Sequence, residues 1–235
     1  MGNTFFIGGD DPELYSITDN IVRTDRNIPL DDAIKLADHD PMWATRGRAI
    51  QSYAQLEQAL CHVFSATTGV EMSVAGHIIF RIASYGARNA IIEKMIHHKH
   101  GQKFNLFWNP LLKDIRTVDL RRNEIVHWIC ATNATIGADN KLYVGVTLVP
   151  PNFWGNTPSV DRITSRDLVA FIEKCNVFAR LLSMFMVVTS GKMEAEKAAP
   201  WLDIFQQPLV YPLPADHLLN RTPQASEIQP RPSPG

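Results

Sequence analysis

Four segments of the chain set their apolar side chains at helical spacing, and any fold must bury all four stripes at once. The first runs from about Met42 to Thr68, with Tyr53, Leu56, Leu60, Val63 and Phe64 on one face and Gly69 placed as a stop. The second, about Ser73 to Lys99, carries Val74, Ile78, Ile82, Ile92, Met95 and Ile96 and closes at Gly101. The third starts at Asn109-Pro110, an N-cap followed by a first-turn proline, and continues to about residues 131 to 133. The fourth spans Ser165 to Thr189: Thr164-Ser165-Arg166-Asp167 reads as a capping signature, and Gly191 ends the pattern. Its apolar run from Leu181 to Val188 falls short of the roughly 20 residues that a bilayer span requires. The pattern predicts an all-α fold, an up-and-down helical bundle of about four long helices.

The bundle is expected over residues 41–191. Within it, Ala138-Asp139-Asn140 is a turn signal and Lys141 to Val149 is β-branched, which predicts a short strand or hairpin inserted between helices and stopped by Pro150-Pro151. Phe104 to Trp108 reads as an aromatic connector loop, and the stretch 152–158 as a loop whose Phe153 and Trp154 either stack on bases or cover a bundle edge or a dimer contact. Residues 1–40 form an N-terminal arm, expected to pack on the bundle or to exchange between protomers. Residues 192–235 form a proline-rich tail. Trp201, Leu202, Ile204 and Phe205 are placed to dock as a short helix, and seven prolines between Pro208 and Pro234 predict disorder after about residue 208.

Charge argues against a general nucleic-acid coat protein. With 235 residues, 45% of them hydrophobic and 20% charged, and a net charge of -1, the chain has no global attraction for nucleic acid. Any RNA contact must come from a local basic patch such as Arg116, Arg121 and Arg122. Cys61, Cys130 and Cys175 are far apart, each in a helical pattern and without zinc spacing, and read as buried free thiols of a reducing cytoplasm. No basic leader or membrane span is seen, so a cytoplasmic protein without membrane attachment is expected. His97-His98-Lys99-His100 reads as a cationic helix C-terminus, not a metal site. No glycine-rich phosphate loop occurs, and no cofactor or metal is implied.

What remains is Arg122. At about 100° per residue, Leu111, Ile115, Val118, Ile125 and Ile129 share a stripe with Arg122 at its centre. A guanidinium buried there alone would cost several kcal/mol. Either a carboxylate meets it, with Glu57 of the first helix the candidate, or the stripe opens there into a polar cleft or a subunit interface. Asn123 and His127, four apart, are neighbours on an adjoining face.

Arg122 followed by Asn123, with His127 closing the motif late in a long helix, resembles the signature of the HEPN superfamily. The resemblance covers roughly residues 42 to 190. It implies a metal-independent endoribonuclease, often a toxin or antiviral effector, whose site forms across a homodimer. It implies Arg122 and His127 as the catalytic pair, with Asn123 in support to orient His127 or contact phosphate; Glu57, which adjoins the stripe of the first helix, is either an exposed edge carboxylate or a supporting partner that holds Arg122. The expected partners are RNA, a second copy of the chain, and an antitoxin or other regulator. Arg81 and Arg88, in a polar band with Tyr85 and Asn89 on the second helix, read as a solvated face or as candidates to extend an RNA-binding groove alongside Arg116 and Arg121. The alternative is a HEPN-like module without catalysis that binds nucleotide, RNA or protein.

Overall fold

The computed structural model describes residues 5–7, 22–24, 29, 32, 35, 37–136, 139–151 and 162–220. Its described part is mostly helical. In chain order the helices are α1 (Asp40–Thr68), α2 (Met72–Ile79), α3 (Tyr85–His100), α4 (Asn105–His127), α5 (Ser165–Thr189) and α6 (Ala195–Phe205). The strands are β1 (Phe5–Ile7), β2 (Val22–Thr24), β3 (Ile129–Ile136) and β4 (Leu142–Val149). No helix among the described residues is long and apolar enough to cross a membrane.

The chain divides into two compact units, Met1–Gln58 with Ile115–Asn176, and Ala59–Asp114 with Val177–Gly235. In the first, the expected insertion is a four-stranded sheet of order β1-β3-β4-β2. β3 and β4 form an antiparallel hairpin in which Cys130 faces Leu148 and Thr132 faces Val146. Its turn rests on Asp139, which accepts from the Lys141 N–H at 3.2 Å and the Tyr143 hydroxyl at 3.0 Å, and on Asn140 at φ 59°, a left-handed conformation that asparagine tolerates. Within the stretch expected as a packing or exchanging arm, Phe5–Ile7 and Val22–Thr24 supply the outer strands, β1 parallel to β3 and β2 antiparallel to β4.

Three helix boundaries differ from the sequence expectation. The second helix is not continuous: α2 stops at Ile79 and α3 begins only at Tyr85. Ser84 takes an extended conformation and its Oγ accepts from the Ala87 N–H at 3.3 Å, so a local cap competes with helix continuation. α4 begins at Asn105, which puts Pro110 inside the helix. Phe104, Phe107, Trp108 and Leu111 fall at helical spacing and are all buried, and that burial outweighs the roughly 3 kcal/mol that an interior proline costs. The expected aromatic loop is therefore a helix entrance. α4 also ends at His127 rather than at residues 131–133, because Ile129, Thr132 and Ile136 pair in β3; Cys130 thus lies in a strand, not a helix.

In the second unit the aromatic side chains form the core. Phe185 meets Phe104 edge-on at 5.1 Å, Trp108 at 5.2 Å and Phe205 at 5.3 Å, and Phe107 meets Phe205 at 4.9 Å. Phe205 confirms the docking of the short α6 helix. Packing continues past Pro208, further than the proline content predicts: Tyr211 sits 5.4 Å from Phe178, and Arg180 donates to the carbonyl of Leu219 at 2.9 Å. α5 opens as its sequence predicts, with Thr164 and Asp167 exchanging side-chain and backbone hydrogen bonds. The loop carrying Phe153 and Trp154 lies outside the described residues.

Candidate functional site

Arg122 stands where the helical projection puts it, on the face of α4 that also carries the buried Val118 and Ile125. Its guanidinium is half-buried and lies over the ring of Tyr53 of α1, 5.5 Å from the centroid. Nη1 donates to Oδ1 of Asn123 at 3.2 Å. Nε is buried and has no hydrogen-bond partner. The Tyr53 hydroxyl donates to the buried carboxylate of Asp119 at 2.8 Å, so one ring receives the cation on its face and serves a carboxylate at its edge. The expected ion pair with Glu57 is not among the contacts that position Arg122; Glu57 is half-buried on α1.

His127 is the last residue of α4 and is exposed. Five residues of helix turn it about 140° away from Arg122. The fold therefore joins Arg122 to Asn123 and leaves His127 on the outer side of the same helix, with the exposed Arg116 and Leu120.

The joint beneath His127 is held by residues for which the sequence reading had no role. Arg46 of α1 donates through Nη2 to the carbonyls of Val126 at 2.8 Å and Trp128 at 3.1 Å, and its guanidinium lies 5.0 Å from the Trp43 ring. Burial lowers the pKa of Arg46, and Cys130 acts in the opposite sense. His39 places Nε2 3.0 Å from Oγ1 of Thr132 and Nδ1 3.7 Å from Sγ of Cys130. Burial pushes the Cys130 thiol up to about 11, with Arg46 drawing it down in part, which keeps it a thiol at neutral pH. The signal for Arg46 was present in the sequence: Met42, Arg46, Ala49, Tyr53 and Leu56 share one helical stripe, and the arginine interrupts it as Arg122 interrupts that of α4.

The remaining basic candidates separate. Arg121 is committed to Glu124 at 2.8 Å, a half-exposed pair three residues apart worth about 0.5 kcal/mol or less. Arg116 and Arg81 are exposed. Arg88 is 2% exposed and Asn89 7%, which corrects their placement in a solvated or RNA-facing band; Arg88 lies 5.0 Å from the Tyr85 ring, inside the second unit.

At the end of α3, Lys99 donates to the carbonyl of Ala66 at 2.7 Å, and His100 packs edge-on against Phe104 and Phe185. Burial, then Lys99 and Lys103, hold the His100 pKa below its usual value. Among the described residues no group of three or more His, Cys, Asp or Glu side chains is placed to hold a metal ion. Comparison with protein-family models, curated proteins and solved structures gives no match for this chain.

Proposed function

We propose that this chain is a metal-independent endoribonuclease of the HEPN type, a toxin or antiviral effector of the cytoplasm, with a site completed by a second copy. In this reading the long helices form the up-and-down bundle that the resemblance implies, and an antitoxin or other regulator restrains the activity. Arg122 carries the reading. A guanidinium retained on a core-facing stripe, held by Asn123 and Tyr53 and with its Nε unsatisfied, has a donor in excess of what packing uses. Leaving a buried donor unpaired costs about 1–3 kcal/mol, a cost that a phosphate-binding role explains.

The chemistry follows from the residue types. The ribose 2′-oxygen forms a bond to the neighbouring phosphorus while the bond from phosphorus to the 5′-oxygen breaks. His127 accepts the 2′-hydroxyl proton, His127 of the second copy returns one to the leaving 5′-oxygen, and Arg122 stabilises the charge on the pentacoordinate phosphate. Asn123 steers the guanidinium it already holds. The 140° between Arg122 and His127 makes the second copy part of the proposal, since a two-fold pairing of the α4 helices brings both residue types to one place.

A second reading, a non-catalytic HEPN-like module that binds nucleotide, RNA or protein, draws on the contact between Arg122 and Tyr53, because a cation resting on a ring is a sufficient packing role. Incubation of purified protein with RNA in EDTA separates the two. Cleavage by the wild type, lost by at least about a hundredfold in folded Arg122→Ala and His127→Ala variants, supports the enzyme. Intact RNA with every protein supports the module.

A further inference from the structure

We infer that Arg46 is a positioning residue for His127, and that Arg46 and His39 together clamp the helix-to-strand joint on which that imidazole stands. For its catalytic meaning this rests on the ribonuclease reading above. The clamp itself is a matter of geometry.

His127 sits at the point where α4 gives way to β3, with only Trp128 between helix and strand. Its ring is exposed, so the backbone beneath it sets its direction. Carbonyls at a helix C-terminus have no partner within the helix and need one elsewhere. One nitrogen of Arg46 takes both carbonyls flanking His127, those of Val126 and Trp128, with a charged donor and short distances. The guanidinium is half-buried and desolvated, so these bonds are poorly replaced by water.

Two strand positions further on, His39 reaches Thr132 and approaches Cys130. Cys130 and Thr132 are alternate residues of β3 and share a face of the sheet. Residues 126, 128, 130 and 132 are thus all gripped by the segment from His39 to Arg46, and His127 lies between the first two. Displacement of a reacting group by about 1 Å can cost a hundredfold in rate, so a grip on the backbone at both sides of the imidazole is a grip on the rate.

The test compares Arg46→Ala and Arg46→Lys in the full chain at a temperature where both are folded by near-ultraviolet circular dichroism. Amide hydrogen exchange at Trp128 to Cys130 reads the joint, and RNA cleavage in EDTA reads the site. Expected for Arg46→Ala are exchange faster by about tenfold or more at those amides and kcat lower by roughly tenfold to a hundredfold with KM little changed. A lysine keeps a charged donor, so Arg46→Lys recovers most of both. Unchanged exchange in Arg46→Ala overturns the clamp. Faster exchange with unchanged kcat overturns the positioning role and leaves Arg46 a stabilising contact. If the wild type cuts no RNA, the ribonuclease reading fails by itself, and the exchange data still decide whether Arg46 fixes the backbone around His127.

Discussion

Tyr53 connects two groups of α4 through one side chain, its face to Arg122 and its hydroxyl to Asp119. The two contacts are separable by mutation. Tyr53→Phe keeps the ring under the guanidinium and removes a donor from a buried carboxylate, for an expected loss of about 1–2 kcal/mol in urea denaturation. Tyr53→Leu removes both and is expected to cost more, with Asp119→Asn restoring a similar part of the loss in either variant. At this scale Arg122 was legible because a charge on an apolar stripe stands out. Its partners were not, since Glu57 and Tyr53 both lie on α1 and only the packing decides which one meets the cation. Arg46 was equally visible by the same criterion. Arg88 was not legible for a different reason: Arg81, Tyr85, Arg88 and Asn89 describe a polar face of one continuous helix, while the helix breaks before Tyr85 and Arg88 and Asn89 are buried.

The helices whose stripes are regular, α1 and α5, follow their sequence patterns closely, and the elements that deviate do so at local competitions. Ser84 is one. Its Oγ caps α3, and Ser84→Ala is expected to cost about 1 kcal/mol, measured as a lower urea midpoint with an unchanged slope. A stability change below a few tenths would mean that the break is imposed by packing rather than by the cap. Pro110 is the other. It suggested a helix start, yet Phe104, Phe107 and Trp108 continue the stripe upstream of it, and hydrophobic burial decided. Trp108→Ala is accordingly expected to cost about 3–5 kcal/mol, far more than any change at the proline. The hairpin was legible only in its second strand: β3 and β4 each hold four β-branched residues, but Ala131, Asn133 and Ala134 interrupt β3, whereas β4 ends on the unbroken run Val146 to Val149. The pairing of β1 and β2 with it depends on long-range register that no local pattern carries.

For the molecule as a whole, two histidines of the second unit set a pH dependence. His100 and His217 both have pKa values held below the usual 6.5, in each case first by burial, and the ring of His217 accepts from the Leu219 N–H at 3.1 Å through Nδ1. The unfolded chain therefore takes up these protons before the folded one does. Stability is full above the unfolded pKa and declines as pH falls below about 6.5. The melting temperature is expected to drop between pH 7.5 and pH 5.5, and to drop less in a His100→Phe, His217→Asn double variant; an equal drop would place the acid sensitivity elsewhere. The proposed ribonuclease makes a defined kind of cut. An RNA oligonucleotide incubated with the wild type in EDTA should yield fragments ending in a 2′,3′-cyclic phosphate and beginning with a 5′-hydroxyl, resolved by mass, and a single 2′-deoxy substitution at the cut position should abolish that cut. Fragments ending in a 3′-hydroxyl, or cleavage that survives the 2′-deoxy substitution, would contradict it.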